Sequence, residues 1–127
     1  MPCAFPDADL LSVVRAVLVL VDGPPVMVRL AGGSDIRFMR SLRALIGAES
    51  VERFRVTDRW EFWLDEDGRS AGKPVNHAAT RVGRGLGVQF DFLGSVVIAG
   101  ADDDAEGRAD LSQEQVSVIF QQVTGVS

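Results

Sequence analysis

Residues 15–30 read Arg15-Ala16-Val17-Leu18-Val19-Leu20-Val21-Asp22-Gly23-Pro24-Pro25-Val26-Met27-Val28-Arg29-Leu30, and this stretch decides the class of fold. Its uninterrupted apolar run, Ala16 to Val21, is six residues long, whereas a membrane helix needs roughly 20. A short, β-branched run closed by Asp22-Gly23-Pro24 is a buried strand. The strand is expected over Arg15–Asp22. Asp22-Gly23-Pro24-Pro25 supplies a glycine and a fixed-φ pair, the chemistry of a tight reversal. Val26–Leu30 then returns as a second strand, and a hairpin results.

Outward from the hairpin, the spacing predicts a helix over 35–46. Ser34 offers a hydroxyl to the orphan amides of a helix start, and Asp35 suits the positive end of the dipole. Ile36, Met39, Leu42 and Ile46 recur at helical spacing until Gly47 stops them. Arg37, Arg40 and Arg43 step along the other side as a basic stripe. Val51–Val56 alternates as a half-buried strand with Arg53 and Arg55 outward. Trp60–Leu64 makes another strand, which puts Trp60 and Phe62 on one face and Trp63 on the other. Core or edge packing is the commoner fate of such aromatics, while a tryptophan left outside the core would suit an interface or a stacked ligand.

Asp65-Glu66-Asp67-Gly68 is a turn. As a calcium loop it would place Trp63 and Pro74 where carboxylates are required. Pro74–Val82 is expected to hold a short helix capped by Asn76. Gly83-Arg84-Gly85-Leu86-Gly87 matches no nucleotide-binding glycine pattern and ends that helix, leaving Gly85–Asp91 as loop or short strand. Ser95–Ala99 is apolar enough for a central strand, and Ala101–Asp110 is an acidic loop. Leu111-Ser112-Gln113-Glu114-Gln115-Val116 carries a Ser…Gln capping box with Leu111 and Val116 at the staple positions. Val116, Ile119, Phe120 and Val123 continue it as one apolar stripe. The sum is α+β: a mainly antiparallel or mixed sheet of about five strands with three helices. It forms a single compact domain over 13–127, behind an N-terminal arm at 1–12.

The 127 residues, 46% hydrophobic and 24% charged, are ordinary globular composition and exclude wholesale disorder. A net charge of −5 argues against a general nucleic-acid backbone binder. With one cysteine, Cys3, and one histidine, His77, neither an intramolecular disulfide nor a Cys/His zinc site can be assembled. The arm lacks the basic start of a signal peptide, so a cytoplasmic location without membrane association is expected. Twelve of the 13 basic residues are arginine, Lys73 being the exception.

Two segments resemble a known family. Phe62-Trp63-Leu64-Asp65-Glu66-Asp67-Gly68, followed by Gly72-Lys73-Pro74-Val75-Asn76-His77-Ala78-Ala79-Thr80, is similar to its apolar strand, acidic turn and Asn-x-x-Ala-Thr. Asp91-Phe92-Leu93-Gly94-Ser95-Val96-Val97-Ile98-Ala99-Gly100 is similar to its Gly-Asp-x-Ile-x-Gly-x-Val-Val-Val-x-Gly. The family is domain of unknown function 3846, small proteins of actinobacteria, plasmids and phages, and the resemblance covers about 16–123. It implies a fold and a genomic setting but no chemistry.

Two functional readings of the residues follow. The first is a non-enzymatic cytoplasmic accessory protein that binds a macromolecular partner, a protein rather than nucleic acid, through Arg37, Arg40, Arg43, Trp60 and Trp63. The alternative is a binder of a small phosphate- or nucleotide-type anion, held by Asn76, His77 and Arg81 at a helix N-terminus. The commoner role of such a residue is that Asn76 simply caps the helix, with His77 exposed at its first turn. Enzymatic use of Asp65, Glu66 or His77 lacks any supporting arrangement. No cofactor and no metal are called for, and edge strands leave a homodimer open.

Overall fold

The computed structural model describes residues 13–32, 35–101 and 110–125. The arm at 1–12, Ser34 and most of the acidic loop lie outside these residues. Five strands, β1 (Val13–Val19), β2 (Val26–Ala31), β3 (Val51–Arg55), β4 (Trp60–Asp65) and β5 (Val96–Gly100), form one sheet. Its order is β2-β1-β5-β4-β3, and every neighbouring pair is antiparallel. The helices are α1 (Asp35–Ile46), α2 (His77–Gly85) and α3 (Gln113–Thr124).

The expected elements are present, with ends moved by up to three residues. β1 begins at Val13 and stops at Val19 because Val13 and Val14 find Ala31 and Leu30 across the hairpin, while Leu18 already meets Val26. The residues after Val19 are then needed for the reversal, where Gly23 takes φ +105°, a backbone position open to glycine at little cost. Residues 86–91 are loop, with no strand.

The sheet is covered on both faces. Val14, Ala16 and Leu18 of β1, Leu30 of β2, Trp63 of β4 and Val97 of β5 pack against Phe38, Leu42 and Ile46 of α1. Val17, Val19, Trp60, Phe62 and Ile98 face the other way, onto Ala79 and Val82 of α2 and Ile119 and Val123 of α3. This explains the continuous apolar runs: strands buried on both faces need not alternate. It also places both tryptophans in the core, the commoner outcome, and removes them from any contact surface. Trp60 and Trp63 do point to opposite faces, but each face carries a helix layer, and the two side chains are only 9% and 5% exposed. Trp63 meets the Phe38 ring edge-on at 5.7 Å.

α3 is held as its sequence dictates. Ser112 accepts from the Gln115 amide and Gln115 returns a bond to the Ser112 amide, satisfying two orphan donors at once. α1 is carried by its amphipathic face against the sheet.

Candidate functional site

Asn76 is fully buried. Its Oδ1 accepts from the Ala79 amide at 3.0 Å. Its Nδ2 donates to the Val19 and Gly94 carbonyls, both at 2.9 Å. One amide thus caps α2, ties the end of β1 and fixes the loop that leads into β5. His77 beside it is exposed. Arg81 donates from Nη2 to the Val123 carbonyl near the end of α3. The structure therefore does not gather Asn76, His77 and Arg81 around a shared opening. Asn76 has spent its hydrogen bonds inward, and Arg81 is drawn to the C-terminal carbonyls of another helix, a position cations favour.

The second group separates as well. Arg37 and Arg40 lie exposed along α1, and Arg43 is half-buried, whereas Trp60 and Trp63 belong to the two cores beneath the helices. The arginine stripe exists, but the aromatic half of the proposed contact surface is inside the protein.

The acidic turn after β4 is also structural. Lys73 Nζ lies 2.7 Å from Asp65 Oδ2 and donates to the Gly47 carbonyl at 3.3 Å. It thereby joins the end of β4 to the end of α1. The Lys73 hydrogen bond, opposed by burial and helped by the Asp67 amide and the lysine charge, holds the Asp65 carboxyl below its ordinary value. An acid held ionised in this way is the reverse of a general acid with a raised pKa. Its depressed pKa means stability that is present above the unfolded value near 4 and lost as pH falls through the folded one. Lys73→Met is expected to cost about 1–2 kcal/mol at neutral pH. Urea unfolding at pH 7 and pH 3 checks this, since the difference between variant and wild type should shrink at the lower pH.

Sequence reasoning missed a groove of about 580 Å³ between β2 and α3. Arg15, Met27 and Arg29 form its sheet side, and Val116, Phe120 and Gln121 line it from α3. β2 is an outer strand, so α3 covers β1 and the groove opens where the sheet runs beyond the helix. Met27 is 36% exposed. Arg15 pairs with Asp110 at 3.3 Å. Burial pushes the Asp110 carboxyl up, but hydrogen bonds from the Arg15 amide and guanidinium, with its charge, outweigh this and hold it low. Arg29, opposite Arg15 in register, has no acidic partner among the described residues. The available signal was the polar interruption by Arg29 of an otherwise apolar strand, which marks a half-open face.

A smaller groove of about 340 Å³ lies between the β3–β4 turn and the start of α3, lined by Thr57, Arg59, Trp60, Leu86, Glu114 and Val118. The buried Trp60 Nε1 has no hydrogen-bond partner, but it is shielded from solvent and so beyond the reach of a ligand resting in that groove. Among the described residues there is no cluster of three or more metal-ligating side chains. No described helix is long and apolar enough to cross a membrane.

With the fold and both grooves in view, comparison with known proteins gives one result. A family model described as domain of unknown function DUF3846 matches residues 14–124, from β1 to the end of α3. The chain belongs to the DUF3846 family. No curated protein and no solved structure matches it significantly. The DUF3846 match spans both segments that carried the resemblance, including Asn76, Lys73 and Gly94, whose contacts here are those of a scaffold.

Proposed function

We propose that this DUF3846 protein is a non-enzymatic accessory protein of the cytoplasm that works by binding a protein partner through the groove between β2 and α3. The observation that carries this reading is the groove itself: about 580 Å³ of mixed apolar and cationic surface beside an outer strand with exposed Met27. Outer strands with apolar neighbours are docking surfaces unless they are blocked. The net charge of −5 disfavours nucleic acid as the partner. The anion reading at Asn76, His77 and Arg81 lacks support in the geometry, because its central amide is committed to the fold.

The test is site-specific photo-crosslinking in cells that express the protein naturally. A benzophenone side chain at Ser117, exposed on α3 and lining the groove, is expected to capture a discrete partner. The same group at Arg40, exposed on α1, should capture none. A partner captured only from Arg40 would move the contact to the arginine stripe, and capture from neither position would overturn the reading.

A further inference from the structure

The groove borders backbone that is itself unpaired among the described residues. The Arg15 amide donates to Asp110 Oδ1 at 2.6 Å, and the Arg15 carbonyl accepts from the Leu111 amide at 3.4 Å. Both groups therefore point away from β2. In an antiparallel ladder, a residue whose N–H and C=O turn away from its partner belongs to a non-hydrogen-bonded pair, and the opposite residue turns away too. Arg29, opposite Arg15, thus presents its N–H and C=O to the outer edge. By the two-residue period, so does Met27. The next residue of that set, Ala31, already has its amide near Ser41 Oγ at 3.5 Å, so the open stretch is Met27 to Arg29. The side chains of the same two residues line the groove.

Resting on the partner-binding reading, we propose that the partner docks by adding an extended, acidic segment as a sixth strand along β2. Its backbone would pair with Met27 and Arg29, and alternate side chains would enter the groove. Main-chain pairing supplies affinity in this mode, and the pockets for alternate side chains supply specificity. Charge decides the occupant. Arg29 offers a guanidinium without an ion-pair partner among the described residues, beside Arg15, while the apolar wall of Val116 and Phe120 takes an aliphatic neighbour. A carboxylate two residues from an aliphatic side chain fits both. A second copy of this chain fits less well: two β2 strands meeting about a two-fold axis would bring each Arg29 close to its counterpart, and like charges across a strand pair repel.

The test pans a displayed random dodecapeptide library against wild-type protein, with counterselection on the double variant Met27→Pro and Arg29→Glu. Met27→Pro removes an outward N–H, which an edge strand tolerates, and circular dichroism confirms that the variants remain folded. Enriched peptides are expected to carry an acidic residue two positions from an aliphatic one. Their affinity should fall at least tenfold for Met27→Pro alone and for Arg29→Glu alone. No enrichment over the double variant, or enrichment of sequences without acidic residues, overturns the proposal. So does a wild-type dimer that Met27→Pro converts to monomer, which would make a second copy the occupant. A partner captured from Ser117 that keeps its affinity for Met27→Pro would defeat strand addition while leaving groove binding in place.

Discussion

Asn76→Ala is expected to destabilise the protein by about 3–5 kcal/mol, the sum of a lost helix cap and two buried carbonyls left without a donor. The side chain is fully buried, and its three bonds reach Ala79, Val19 and Gly94, so no water can replace it without opening the sheet edge of α2. In thermal unfolding the midpoint should fall by more than about 10 °C. Asn76→Asp separates the two roles that the residue type allows. It keeps an oxygen for the Ala79 amide, but sets the other oxygen against two carbonyl oxygens, so it should lose nearly as much at neutral pH. His77→Ala, at an exposed position, should change stability by less than about 0.5 kcal/mol. If instead Asn76→Ala leaves the midpoint within a few degrees, the bonds described here contribute little, and the asparagine must be explained by something outside the fold.

This residue also shows where sequence reasoning stops. A helix N-cap and an anion ligand at a helix start use the same residue types in the same order, and only the two long-range bonds to Val19 and Gly94 decide between them. Those bonds join positions 57 and 18 residues away, a separation that no local pattern encodes. The elements themselves were legible because their signals are local. The interval 35–46 was set by helical spacing and a terminating glycine, and α3 by its Ser112–Gln115 box.

Strand order was not local. β5, last of the strands in sequence, lies at the centre between β1 and β4, which leaves β2 and β3 at the edges. Without that order neither the burial of both tryptophans nor the open edge at Met27 and Arg29 can be derived. Alternation along β4 separates Trp60 from Trp63, but only the strand order shows that β4 has two insides. The arginines on α1 were visible from their spacing of three. Arg29 gives no comparable local signal, because an arginine in a hairpin strand is usually solvated and idle.

Phe92→Ala is expected to cost about 3–5 kcal/mol, the usual range for deleting a buried aromatic side chain, and its neighbours show why the site cannot collapse to fill the gap. Phe92 is fully buried, with the Phe62 ring at 5.0 Å, Phe90 at 5.2 Å and Phe54 at 6.2 Å. Its amide is held by Thr80 Oγ1 at 3.0 Å and its carbonyl accepts from the Asn76 amide at 2.7 Å. The backbone is therefore pinned on both sides, and the cavity must stay. The same rigidity should appear from the opposite direction. A Cβ built on Gly83 would lie 2.7 Å from Phe92 Cε2, so Gly83→Ala sets a gain of about 1 kcal/mol in helix propensity against overpacking of about 1–3 kcal/mol. Because the ring is wedged among three others, overpacking should win, and Gly83→Ala alone should destabilise. Combined with Phe92→Leu, which withdraws the ring edge, the alanine should turn neutral or favourable. Denaturant unfolding of the two single variants and the double measures that coupling directly. Simple additivity would show that the Phe92 ring can move aside, and that the aromatic cluster under α2 is softer than its geometry requires.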